Sequence, residues 1–141
     1  MPTEVIVYVL TALAAVVVVL TRVRLAKAEG GAGNARVGDG ILLTHTVAGL
    51  LAILVWVAFL AVPEETFAQR DLVGISALAL WWITVLAGLL VLSRWLPSSG
   101  RHVTRTAGDS WSEGPGLSIL AHVGMLVGVG VFTWAYLTAV V

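Results

Sequence analysis

The sequence predicts an all-α integral membrane protein, a four-helix bundle running up-down-up-down, and three observations carry that expectation. Of its 141 residues 59% are hydrophobic and only 11% are charged, where a soluble domain usually carries about 25% charged residues. The mean hydropathy is +0.99. Four stretches contain no Asp, Glu, Lys or Arg: Val5–Thr21, Ile41–Val62, Leu72–Ser93 and Gly114–Val141. Each reaches the ~17–20 residues that a helix needs to cross ~30 Å of hydrocarbon. Together they use most of the chain and leave no room for a soluble catalytic domain.

Helices are expected over about 4–23, 41–62, 72–94 and 116–140. A β-barrel is a poor alternative. Barrel strands alternate apolar and polar residues over ~10-residue segments, whereas Ala14 to Leu20 and Leu50 to Val62 are apolar on every face. With no water in the bilayer core to satisfy the backbone, helix is the remaining spanning solution. The first stretch does not read as a secretory signal peptide. It begins Met-Pro-Thr-Glu without a basic region, and no small-residue cleavage site precedes Arg22. The segment 24–40 follows, rich in Gly, Ala and Asn around Gly30 to Asn34, and reads as a loop. After the second helix the short segment 63–71 holds Glu64, Glu65 and Asp71 against Arg70 alone. The segment 95–115 opens with Pro97 to Gly100, is bracketed by Trp95 and Trp111, and closes at Gly114-Pro115-Gly116. A proline there fits the first turn of the fourth helix, where its missing N–H costs nothing.

Seven of the eight basic residues lie in or beside two of these segments: Arg22, Arg24, Lys27 and Arg36 in the first, and Arg94, Arg101 and Arg105 in the third. The positive-inside rule counts Lys and Arg in short loops. It places 24–40 and 95–115 in the cytoplasm, and 63–71 and both termini outside, in a plasma (cytoplasmic) membrane. The seven-to-one ratio of arginine to lysine points to a GC-rich, bacterial genome and says nothing of mechanism. With no cysteine, disulfides, thiolate metal sites and thiol chemistry are excluded.

The halves of the chain show a faint correspondence. Thr11 to Arg22 aligns with Thr84 to Arg94 when one residue is skipped, and each is followed by a basic segment, a glycine pair and a helix with histidine near its start. A tandem repeat of two-helix units would have its pseudo-twofold axis along the membrane normal and would set equivalent residues at equal depth. His45 and His122 are the residues that matter. They lie five and six residues after Gly40 and Gly116, and at ~1.5 Å per residue both sit roughly 7–9 Å below their helix starts.

Two imidazoles at one depth on parallel helices can face each other across a bundle and share a metal, above all the iron of haem b. Gly49 and Ala48 after His45, with Gly124 and Gly128 near His122, leave room for a flat ring or for another helix. Ser118 is placed to orient the His122 ring, with Thr44 and Thr46 as alternatives near His45. Arg22 and Arg94 at the helix ends are candidate partners for two propionates, and Trp56, Trp81, Trp82 and Trp134 for the macrocycle. Each has a plainer role open to it. Histidine can be interhelical glue worth ~0.6 kcal/mol, small residues serve helix packing, tryptophans anchor at interfaces, and arginines set topology. His102 reads as a solvated side chain.

The helix count and Leu43-Thr44-His45-Thr46-Val47-Ala48-Gly49-Leu50 resemble small b-type membrane cytochromes of the cytochrome b561 kind. That family carries two histidine pairs for two haems, while this chain offers one pair within its spans, so the resemblance implies one bis-histidine haem. The spans hold no charged group of the kind that proton pumps and cation-coupled transporters use. There is no phosphate-binding loop and no zinc-protease His-Glu-x-x-His. The basic segments are too short and balanced for nucleic-acid binding, so independent enzymatic activity beyond electron carriage is not expected. Two functions remain: an electron carrier with quinone or a larger membrane complex as partner, or a structural, accessory subunit of such a complex with no cofactor. A small oligomeric transporter or channel is a weaker third. Gly124, Gly128 and Gly130 on the fourth helix fit homo-oligomerisation under any of them.

Overall fold

The computed structural model describes residues 2–27, 38–63, 70–93 and 116–141. Among these it contains four helices and no strand: α1 (Thr3–Lys27), α2 (Asp39–Ala61), α3 (Arg70–Leu92) and α4 (Gly116–Leu137). All four are long and apolar enough to cross a membrane. The expected bounds hold within a few residues, with two instructive differences. Helix α1 runs on to Lys27 rather than stopping near Val23, because arginine and lysine are good helix formers and a charge bars a residue from lipid, not from a helix. Helix α4 stops at Leu137. Ala139 there takes φ 51°, its N–H reaches the Tyr136 carbonyl, and the Val140 N–H reaches that of Ala135 at 2.9 Å. This is the left-handed cap that satisfies the last carbonyls of a helix, with alanine where glycine is usual.

Cross-helix contacts set the directions. Thr11 on α1 meets Trp56 on α2, and Val18 lies over Gly49. On α3, Thr84 lies at Gly49 and Gly88 at His45. On α4, Phe132 meets both Trp56 and Trp81. Successive helices are therefore antiparallel, α2 and α4 are parallel, and the up-down-up-down order holds. The most extensive interface is between α2 and α3, while α1 touches α2 and α4 far more sparingly. The same contacts put Thr11 and Thr84 at different levels, about two turns apart along α2, so the sequence alignment that pairs them does not correspond to equal depth.

The outer surface is apolar. Leu13, Leu54, Leu86, Leu120 and Val127 are all more than half exposed, whereas soluble proteins expose few contiguous apolar patches. Inside, the half of the bundle at the end bearing residues 2 and 141 is filled with rings: Trp56, Phe59, Trp81 and Phe132 are essentially inaccessible. Ring centroids of Trp56 lie 5.2 Å from Phe59 and 5.0 Å from Phe132, in the tilted and offset arrangements that aromatic quadrupoles favour. Trp56 Nε1 donates to Thr11 Oγ1 at 3.0 Å, Trp82 Nε1 to Thr133 Oγ1 at 3.2 Å, and Tyr136 OH to the Asp71 carbonyl at 3.0 Å. These bonds tie α1 to α2 and α4 to α3.

Candidate functional site

The opposite half of the bundle contains the histidines. His45 and His122 are each the seventh residue of their helices, which fixes their equal depth, and both are at least 95% buried. Their ring centroids are 6.1 Å apart with the planes inclined by 43°. The structure thus brings together the two residues that the sequence singles out, across the diagonal of the bundle.

Their immediate surroundings differ from the sequence-based expectation in instructive ways. His122 Nδ1 donates to the backbone carbonyl of Ser118 at 2.7 Å. Ser118 is thus the orienting partner, but through its carbonyl and not its hydroxyl. A ring that donates from Nδ1 while neutral carries its lone pair on Nε2, the atom that a metal takes. On α2, Thr46 turns its hydroxyl to the Leu42 carbonyl at 2.8 Å, and Thr44 is exposed. His45 Nδ1 is buried with no hydrogen-bond partner among the described residues. An orphaned buried polar atom costs about 1–3 kcal/mol and marks a place where a partner belongs.

Gly49 does not open onto the rings. A Cβ added there would meet Val18 Cγ1 at 2.9 Å and Thr84 Cγ2 at 3.3 Å, so Gly49 is a close-packing point of α2 against α1 and α3. The glycine at the histidines is Gly88 on α3, where an added Cβ would lie 2.8 Å from His122 Cδ2 and 3.5 Å from His45 Cδ2. Sequence reasoning missed it because Gly88 is far from either histidine in the chain. Its signal was available only in the helix register: counted outward from the 63–71 connection, it falls level with His45. Nor do the tryptophans flank the pair. Trp56 lies eleven residues beyond His45, roughly 16 Å along the helix, and Trp81 stacks with it in the aromatic half through Phe132. Trp134 is half-exposed.

Of the two arginines expected near the site, Arg22 is exposed and Arg94 lies outside the described residues, as does His102. Arg24 takes the position instead. It lines a cleft of about 440 Å³ between α1 and α4, together with Thr21, Ser118 and His122. Helical periodicity explains the swap: Arg24 is three residues from Thr21 and so shares its face, while Arg22 points away. Among the described residues no group of three or more His, Asp or Glu side chains converges, so the donor set at the centre is two imidazoles. A bare zinc ion takes about four protein ligands, or three and a water. Haem iron asks the protein only for axial ligands, and two imidazoles with glycine beside them suit that demand. Compared with protein-family models, curated proteins and solved structures, the chain matches none.

Proposed function

We propose that the chain is a multi-pass membrane protein that binds one haem b between α2 and α4, with His45 and His122 as axial ligands, and serves as an electron carrier. One observation carries the reading. His45 and His122, at one depth on parallel helices, bring their buried rings to 6.1 Å between centroids, and two neutral imidazoles that close are the residues that would hold one metal centre. Haem bound there would supply one-electron exchange at iron. The residues of the chain hold and tune it. The Ser118 carbonyl fixes the His122 ring and raises its basicity as a ligand. Gly88 leaves the α3 side of the pair without a side chain, and Arg24 at the cleft is placed to meet a propionate. The distribution of basic residues supports both termini outside the plasma membrane, with the histidine half towards the cytoplasm.

An absorption spectrum of the purified protein, oxidised and then reduced with dithionite, tests this directly. The expected result is a Soret band with sharp α and β bands on reduction, lost in both His45→Ala and His122→Ala. A folded but colourless protein, even after growth with added haem precursor, would overturn the reading. It would leave the alternative of an accessory subunit in which the imidazoles merely pack α2, α3 and α4 together.

A further inference from the structure

The cleft between α1 and α4 is a second feature, to one side of the histidine pair, and His122 is the residue that belongs to both. It runs along α1 from Leu10 to Arg24, roughly 20 Å at ~1.5 Å per residue. Its polar groups are all at one end: Thr21 and Arg24 on α1, Ser118 and His122 on α4. From there to Phe132 the walls are hydrocarbon. The middle of the α4 wall is glycine. A Cβ added at Gly124 or at Gly128 would meet nothing within 4 Å, although Gly128 itself is buried, so the space beside it is a void and not a packed contact. This separates Gly128 from Gly49 and Gly88, whose missing Cβ atoms are replaced by neighbouring side chains.

A site of this shape takes a linear apolar molecule with one hydrogen-bond-accepting head. A volume of about 440 Å³ is within the ~300–1,000 Å³ usual for ligand sites. We infer that the α1–α4 cleft binds a prenylated quinone, its ring and carbonyl oxygens at the Arg24, Thr21 and Ser118 end against His122, and its isoprenoid tail along Gly124 and Gly128. The guanidinium and hydroxyl groups are donors of the kind that carbonyl oxygens accept from. A head at this end lies beside one wall of the proposed haem site, and that is the reason to choose a quinone over an inert lipid. The choice of ligand therefore rests on the haem reading, while the binding is measured without it.

The test uses the full chain in phosphatidylcholine nanodiscs, titrated with a two-isoprene benzoquinone and a two-isoprene naphthoquinone, with quenching of tryptophan fluorescence as the readout. Saturable quenching is expected with at least one of them. It should weaken at least tenfold in Gly128→Leu and in Gly124→Leu, whose side chains enter open space and should leave the fold intact by circular dichroism. Arg24→Gln should weaken it severalfold. Linear quenching that is equal in the parent and the filled variants would mean partition into lipid and would overturn the inference. So would displacement of the quinone by geranylgeraniol at equal concentration, since the tail alone would then account for binding. The haem spectrum is recorded on the same samples. Saturable binding by a colourless protein would sink the haem reading and keep the cleft as a quinone site, whereas a haem spectrum without saturable binding would do the reverse.

Discussion

The two halves of the bundle have the same four helices and opposite interiors. In the aromatic half, Trp56, Phe59, Trp81 and Phe132 fill the centre, and the donors of Trp56 and Tyr136 are taken up in bonds between helices, while Trp81 Nε1 has no partner among the described residues. In the histidine half the central side chains are smaller and polar atoms are buried. Among the described residues, His45 Nδ1 has no partner, and a cleft opens beside His122. Because lipid is as apolar as a leucine side chain, helices in a membrane are held by packing and by hydrogen bonds rather than by hydrophobic burial. The ring-filled half is therefore expected to contribute most to holding the bundle together, which would leave the other half free to be incompletely packed. A fold evenly optimised along its length would have no such contrast.

The contrast can be broken by substitution, most forcefully at Phe132. Phe132→Ala removes the ring that touches both Trp56 and Trp81 and should cost about 3–4 kcal/mol in unfolding by sodium dodecyl sulfate, leaving the spectrum of the folded fraction unchanged. A cost under about 1 kcal/mol would mean that the aromatic half is not the stabilising one. Next comes a matched pair of methyl insertions. At Gly74 a Cβ would meet Tyr136 Cε2 at 2.5 Å and Phe59 Cε2 at 2.9 Å, two rings held by their own contacts, so Gly74→Ala should destabilise by roughly 2–3 kcal/mol. At Gly88 the closest atom is His122 Cδ2 at 2.8 Å, on a single ring that borders the α1–α4 cleft, so Gly88→Ala should cost less in stability and, on the proposed haem reading, show chiefly as lowered haem occupancy. Equal losses of stability in the two variants would erase the distinction.

Smaller effects sharpen it further. Trp56→Phe removes the bond to Thr11, and Trp81→Phe removes an indole N–H with no hydrogen-bond partner among the described residues. The first should cost about 0.6–1 kcal/mol more than the second, measured in the same unfolding assay. On the proposed haem reading, Ser118→Ala should leave the reduced spectrum unchanged, because the carbonyl and not the hydroxyl orients His122. The smallest expected effect is at the end of α4. Ala139→Gly should stabilise by about 0.5–1 kcal/mol, since glycine occupies φ 51° without the strain of a Cβ.

Much of this was legible in the chain, for a specific reason. A helix able to span a membrane must be apolar over its whole length, so Val5–Thr21 or Leu72–Ser93 shows itself as a long apolar helix without any knowledge of its neighbours. The depth of His45 and His122 is likewise a matter of counting from the helix start. Rotation about the helix axis is another matter. Helices apolar on nearly every side give almost no amphipathic signal, so the sequence could not say which side of α2 or α4 faces inward. That is why Gly49 was open to a flat ring or to another helix and turns out to lie against Val18 and Thr84, and why the sequence did not show that Arg24 rather than Arg22 lines the cleft beside His122.

The sequence by itself determined the number of helices, their approximate ends and the common level of the two histidines, because length, hydropathy and rise per residue are local properties. Only the tertiary structure decided that the imidazoles meet at 6.1 Å beside Gly88, that the rings collect in the other half, and that α1 stands far enough from α4 to leave a cleft. Those outcomes depend on how four nearly featureless cylinders rotate to pack their side chains, and packing is a property of the pairs of helices rather than of any one of them.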